Sequence, residues 1–252
     1  MSHADRFDGR AAAYAQGRPG YPAALGAWLR GTGLLRRPVA DLGAGTGLFT
    51  RVLLAGGATV TAIEPNAGMR AVLQTSLEDA VTEGRLRVQA GTSEAMGLPD
   101  ASVALITAAQ AAHWFDPVPT VQEWRRVLRP GGQVLLVWND WRGLEEGFNP
   151  AYGAVVRPFL AAGTPDTANR VPEDRLPALL PGGFDTQVFE QAHALTRERL
   201  HALAGSVSYL PAPDSPDFPA LTAALDAAFD AHAQAGEVTL IYRTYAYLGR
   251  LD

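Results

Sequence analysis

The sequence predicts an α/β sandwich, with a mainly parallel sheet and helices on both faces. Three observations predict it. Short β-branched runs alternate with amphipathic stretches from Tyr21 to Trp138, joined by short connections. Gln133 to Trp138 (QVLLVW) is a continuous apolar run, as expected of a strand buried on both faces. A glycine turn, DLGAGTG at Asp41–Gly47, leads from a strand into a helix.

The elements follow in order. Tyr21 to Gly31 reads as a helix with Pro22 near its first turn. Pro38 to Leu42 is a strand entering the glycine turn, and Gly47 to Leu54 is a helix stopped by Gly56-Gly57. Ala58 to Ile63 is a strand ending at Glu64, and Ala67 to Leu77 a helix. Arg85 to Ala90 and Val103 to Thr107 are strands; Thr120 to Leu128 is a helix ended by Pro130-Gly131-Gly132. After Asn139 the alternation breaks. Residues 140–181 are rich in Pro, Gly and Arg, with a helical piece at Ala151 to Ala162. The β signal returns at Phe184 to Glu190; an alanine-rich helix spans Ala220 to Gln234, and a final strand Glu237 to Leu248. With no repeat and no low-complexity linker, the 252 residues read as one domain with insertions.

Composition excludes several chemistries. A hydrophobic content of 47% with 19% charged residues reads as globular, not disordered. The net charge of -5 lacks the basic footprint of a nucleic-acid partner. There is no cysteine, so thiol nucleophiles and cysteine-ligated metals are ruled out. All 21 basic residues are arginine, which removes lysine Schiff bases and the lysine of a Walker phosphate loop. The N-terminus has no apolar signal core and no apolar run approaches ~20 residues. The expectation is a cytoplasmic protein with no membrane partner.

Spacing then narrows the ligand of the glycine turn. A dinucleotide fingerprint is G-x-G-x-x-G before a helix N-terminus. Here the pattern is Asp41-x-Gly43-x-Gly45-x-Gly47. Asp41 would repel a pyrophosphate and favour a cation, and Glu64 can accept both hydroxyls of a ribose. A cationic nucleoside without phosphate meets both conditions, as S-adenosylmethionine does. A dinucleotide-dependent oxidoreductase and a non-catalytic cofactor-binding protein stand as the rival readings.

These residues, with the helix-ending EWRRVLRPGG, resemble the class I S-adenosylmethionine-dependent methyltransferases over residues 5–139. FDGRAAAYAQGRPGYP, HWF and SYLPAP are similar to the small-molecule branch near the trans-aconitate and quinone-biosynthesis methyltransferases. The resemblance implies a Rossmann-like three-layer sandwich with seven strands, the last antiparallel. It implies an N-terminal cap segment at 1–35, a cofactor core at 36–139, a variable cap at 140–235 and a final strand at 236–252. Gly43, Ala44 and Gly45 would line the methionine portion, with Asp41 towards its ammonium. Glu64 would bind the ribose, with Pro65, Asn66 and Met69 flanking ribose and adenine. In GTSEAMGLPD, Thr92 stands where relatives often carry an acid, so Ser93 or Glu94 takes the adenine contact. Gln110 would lie beside the sulfonium, and Tyr14 and Arg18 would fold over the methyl donor and its carboxylate. Arginine suits a carboxylate because its fork binds both oxygens; a solvated surface arginine is the other reading of Arg18. His113, after the fourth strand, is either the general base or a residue shaping the pocket beside Trp114. The implied partner is a small-molecule methyl acceptor, the product S-adenosylhomocysteine, and no metal is called for; the oligomeric state is not legible.

Overall fold

The computed structural model describes residues 17–161 and 170–252. Tyr14, singled out above, lies outside the described residues. Seven strands form one sheet in the order β3-β2-β1-β4-β5-β7-β6. They are β1 (Val39–Leu42), β2 (Val60–Ile63), β3 (Leu86–Gln89), β4 (Val103–Ala109), β5 (Leu128–Asp140), β6 (Phe184–Leu195) and β7 (Val238–Gly249). The first five pair in parallel, and the last strand is antiparallel, as the sequence implied. The helices are α1 (Ala23–Thr32), α2 (Leu48–Ala55), α3 (Ala67–Ser76), α4 (Glu78–Thr82) and α5 (Pro117–Val127), then α6 (Asn149–Val156), α7 (Arg197–Ser206) and α8 (Phe218–His232).

The chain divides into two compact units. Among the described residues, one holds 20–139, 170–189 and 244–252, and the other holds 17–19, 140–161 and 190–243. In the first unit, strand alternation sends β5 side chains to two cores. Val134, Leu136 and Trp138 join Ile106, Trp124, Val127 and Tyr247. Leu135 and Val137 join Val39, Leu53, Leu73 and Leu105. Both faces are dry, which is why this strand reads as an unbroken apolar run. The second unit has its own core of Tyr152, Leu203, Leu221, Leu225, Leu240 and Tyr242.

Helix starts obey local chemistry. The Asn66 side chain accepts from Met69 N at 2.9 Å to open α3, and Asp116 accepts from Val118 N at 3.2 Å to open α5. One boundary departs from expectation. The Pro-Gly-Gly after α5 does not separate helix from strand, because β5 already begins at Leu128. Val103 pairs with Leu128 but Leu105 pairs with Gln133, so the extra residues bulge out of the ladder. Gly131 makes the bulge possible with φ 74°. The strand signal at Phe184 also runs further, to Leu195, while α4 and α7 were not legible because their apolar periodicity is too short or too weak.

Among the described residues no helix is long and apolar enough to cross a membrane. No group of three or more acidic or histidine side chains there could hold a metal ion.

Trp124 is fully buried between α5 and the sheet, with Phe115 edge-on at 6.2 Å. Trp124→Ala is expected to cost about 3–5 kcal/mol in urea unfolding. A loss under ~1 kcal/mol would mean that this face of the sheet is not the packed core described here.

Candidate cofactor site

The strand order reverses at β1, with β2 on one side and β4 on the other. In such sheets the crevice at the carboxyl ends of the strands is where ligands bind. The glycine turn leaves β1 at this point.

Asp41 is the last but one residue of β1 and is 1% exposed. Register places it opposite Thr107 of β4. Thr107 Oγ1 donates to its Oδ1 at 2.7 Å, and Thr50 Oγ1 of α2 donates to its Oδ2 at 2.6 Å. The carboxylate therefore ties strand, turn and helix together from beneath. Burial pushes its pKa from 3.8 up to about 6, against the two hydroxyl bonds, and the nearby Glu64 charge adds to the rise. Both oxygens are engaged by threonine hydroxyls, so Asp41 acts on the turn chiefly as its scaffold and as a buried negative charge.

The turn is held by its amides, which donate mainly to the end of β2. Gly43 N and Ala44 N donate to Ile63 O at 2.8 and 3.3 Å, Gly45 N to Glu64 Oε2 at 3.0 Å, and Gly47 N to Ala44 O at 2.9 Å. Gly43 has φ 60°, and a Cβ there would lie 2.6 Å from the Ala111 Cβ. Only glycine meets both conditions. The amides of Gly43, Ala44, Gly45 and Gly47 are all donated to protein acceptors, so these four are not offered to a pyrophosphate. This is the geometric counterpart of the acidic, non-dinucleotide spacing.

Glu64 follows β2 and is 7% exposed. Its Oε2 accepts from Gly45 N and its Oε1 from Asn66 N at 2.8 Å. Burial raises its pKa, opposed by those two amides and by Arg70. Arg70 Nη1 donates to the backbone oxygens of Glu64 and Pro65, both at 2.7 Å. Each carboxylate oxygen keeps lone-pair capacity beyond its one amide, so the group can still accept two hydroxyls. Asn66 is spent on capping α3, Met69 is buried behind it, and Pro65 is exposed. Thr46 Oγ1, within the turn, is buried with no hydrogen-bond partner among the described residues. Such an atom wants a polar ligand group or water. The turn, the unsaturated carboxylate and this orphaned hydroxyl suit an adenosine cofactor carrying an amino-acid tail.

At the end of β4, Gln110 adopts φ 57°, which is strained for a residue with a Cβ. It is held there by Gln110 N to Val137 O at 2.8 Å and Gln110 Nε2 to Asn139 O at 2.9 Å. Asn139 is the hub that the sequence did not single out. Its Nδ2 donates to Gly20 O at 3.0 Å, and its Oδ1 accepts from Thr244 Oγ1 at 2.6 Å. It thereby pins the GYP segment, whose Tyr21 packs edge-on against Phe49 at 4.9 Å, to the ends of β4 and β5 and to the middle of β7. A lone Asn after a strand carries no signal in sequence that could have revealed this.

The remaining predicted residues fall into two groups. Ser93 Oγ donates to Glu94 Oε1 at 2.6 Å, and Thr120 Oγ1 of α5 reaches Ser93 Oγ at 3.1 Å. Burial would raise the Glu94 pKa, but bonds from Ser93, Thr92 and the Asp116 amide hold it below the usual value. Thr92 is exposed. His113 sits in a short 3-10 turn, Ala112–Trp114, with the Trp114 ring 4.7 Å away. Arg18 belongs to the other unit, where its Nη2 donates to Ser206 O at 3.2 Å.

Comparison with known proteins points the same way. Residues 40–136 match the family model of a methyltransferase domain. An uncharacterized methyltransferase of Mycobacterium tuberculosis is 42% identical over 133 residues, covering 53% of this chain and 51% of that protein. An uncharacterized methyltransferase-like protein of Schizosaccharomyces pombe is 33% identical over 129 residues, 50% of this chain and 48% of that protein. The chain spans about half the length of the curated relatives it matches. A solved structure from Anaeromyxobacter dehalogenans, provisionally named a type II methyltransferase, is 26% identical with a TM-score of 0.62, over 93% of this chain and 98% of that one.

Asp41 carries a pH test. Its pKa is higher folded than unfolded, so its proton-linked stabilisation is full below about pH 3.8 and is lost as pH rises through about 6. The loss amounts to about 3 kcal/mol at pH 7.5. Asp41→Asn keeps the shape, and the threonine hydroxyls can rotate to suit the amide. The urea midpoint of the variant, relative to the parent, should climb between pH 4 and pH 7. A constant difference across that range would show that Asp41 is ionised without penalty.

Proposed function

We propose that this chain, whose residues 40–136 match the family model of a methyltransferase domain, binds S-adenosylmethionine at the β1 turn and transfers its methyl group to a small-molecule acceptor. The observation that carries the reading is Glu64. Its buried carboxylate is aimed by two backbone amides from two different turns and keeps capacity for a ribose diol.

Bound S-adenosylmethionine supplies a methyl group already activated by its sulfonium. The residues of this chain therefore need to bind, orient and remove a proton, more than to activate. Glu64 takes the ribose hydroxyls, with Pro65, Asn66 and Met69 forming the wall behind ribose and adenine. The Gly43-Ala44-Gly45 turn allows close approach of the methionine portion, and Asp41 beneath it sets a negative potential for the ammonium. Ser93, Glu94 and Thr92 border the adenine. Gln110, fixed in its strained conformation by Val137 and Asn139, presents the end of β4 beside the reacting centre. His113, one short turn further on, takes the proton of the acceptor. No requirement for a metal follows from these roles.

Calorimetric titration with S-adenosylhomocysteine and with NAD separates this reading from a dinucleotide enzyme. The sulfur nucleoside is expected to bind and NAD not to bind; the reverse result ends the proposal. Glu64→Gln should weaken S-adenosylhomocysteine by roughly 10–100-fold, the loss of charge-assisted hydrogen bonds. His113→Ala should lower turnover by ~100-fold or more and leave the cofactor dissociation constant little changed. Equal losses in both quantities would make His113 a wall of the pocket.

A further inference from the structure

One buried residue of the first unit is bonded to three distant stretches of chain. Asn139 is the last but one residue of β5. Its Nδ2 donates to Gly20 O, its Oδ1 accepts from Thr244 Oγ1, and its main-chain oxygen accepts from Gln110 Nε2. All four residues belong to the same compact unit. These bonds fix the direction of the side-chain amide. Gly20 O can only accept, so Nδ2 must face it; Oδ1 then faces Thr244, whose hydroxyl must donate. No other side chain of this shape satisfies both ends. Leucine has no polar atom, and aspartate sets an oxygen against the Gly20 oxygen.

The bonds to Gly20 and Gln110 meet at the carboxyl ends of β4 and β5. Gln110 leaves β4 with φ 57°, a conformation that persists only where its surroundings over-determine it. Two acceptors on β5, Val137 O and Asn139 O, do so. Gly20 O is held at the end of β5, and the next residue, Tyr21, packs edge-on against Phe49 at 4.9 Å. Phe49 lies in the first turn of α2, two residues after Gly47 of the glycine turn. Gly20-Tyr21 therefore straps the end of β5 to the start of the helix that the glycine turn opens.

We propose that Asn139 is a positioning residue for methyl transfer, which latches this strap through Gly20 and holds the end of β4 through Gln110, and so sets how long the cofactor stays bound. This rests on the methyl-transfer reading above. None of Asn139, Gly20 and Thr244 is among the residues that the sequence resemblance assigns to the cofactor. Asn139 acts through its neighbours, and Thr244 acts one step further back by orienting the amide.

The test is the dissociation rate of radiolabelled S-adenosylhomocysteine from the full chain, chased with unlabelled ligand. Amide hydrogen exchange at Gly20 and Tyr21 is followed in the ligand-free chain alongside it. Asn139→Asp keeps the bond from Thr244 and sets two acceptors face to face at Gly20. It should speed dissociation roughly tenfold or more without slowing association, and raise exchange at Gly20 and Tyr21. Thr244→Val removes the orienting hydroxyl and should speed dissociation by a smaller factor; Thr244→Ser keeps the hydroxyl and should match the parent. The Thr244 pair carries the test if Asn139→Asp does not fold. Dissociation within about twofold of the parent in Asn139→Asp and Thr244→Val overturns the latch. So does a Thr244→Ser variant that dissociates as fast as Thr244→Val. Slower association with unchanged dissociation also overturns it and makes Asn139 a structural residue of the fold. Failure of the parent chain to bind S-adenosylhomocysteine would remove the methyl-transfer reading and the residence role with it, and exchange at Gly20 would then report on the strap alone.

Discussion

The carboxylate of Glu64 joins two turns that are 19 residues apart in the chain, accepting from Gly45 N with one oxygen and from Asn66 N with the other. The turn after β1 and the turn after β2 are thus held in one geometry by one side chain. Parallel pairing of Leu42 with Ile63 brings the two strand ends level, so the contact is available only because the register is right. Everything proposed for the cofactor depends on this contact: the path of the glycine turn, the cap of α3 and the direction of the remaining lone pairs.

Beneath that clamp the fold tolerates an electrostatic cost. Asp41 is removed from water, and two threonine hydroxyls recover only part of its hydration, which is why its pKa stays raised. A second buried carboxylate nearby, Glu64, raises it further. Two acids in one dry turn make a poor structural motif by themselves. They set a negative potential at a turn whose Gly43, Ala44, Gly45 and Gly47 amides are already donated to protein acceptors, a setting that favours a cation over a phosphate. Backbone strain at Gln110 belongs to the same pattern: it is maintained by bonds that Gln110 donates to Val137 O and Asn139 O, and it lies at the end of the neighbouring strand.

Legibility varied along the chain for physical reasons. Core strands were readable because burial on both faces demands apolar, β-branched residues, as in Val134 to Trp138. The edge strand β6 was underestimated because its exposed Asp185, Gln187 and Glu190 break any apolar pattern. The bulge at Arg129–Gly132 was read as a stop, since Pro and two glycines terminate a helix and begin a loop equally well. The site was half legible. Asp41, Gly43, Gly45 and Glu64 announce themselves by spacing, whereas Asn139 is an ordinary residue until the fold gives it neighbours.

The sequence by itself determined the class of fold, the mainly parallel character of its sheet and the acidic character of the glycine turn, because each follows from local periodicity or from residue type at fixed spacing. Only the tertiary structure decided where the polar groups spend their hydrogen bonds. It showed that Asp41 is consumed by Thr50 and Thr107, that Glu64 is clamped but not saturated, and that Asn139 ties Gly20 to Thr244 across more than two hundred residues of chain. Hydrogen-bond partners at such separations are fixed by register and packing, and no window of sequence contains them.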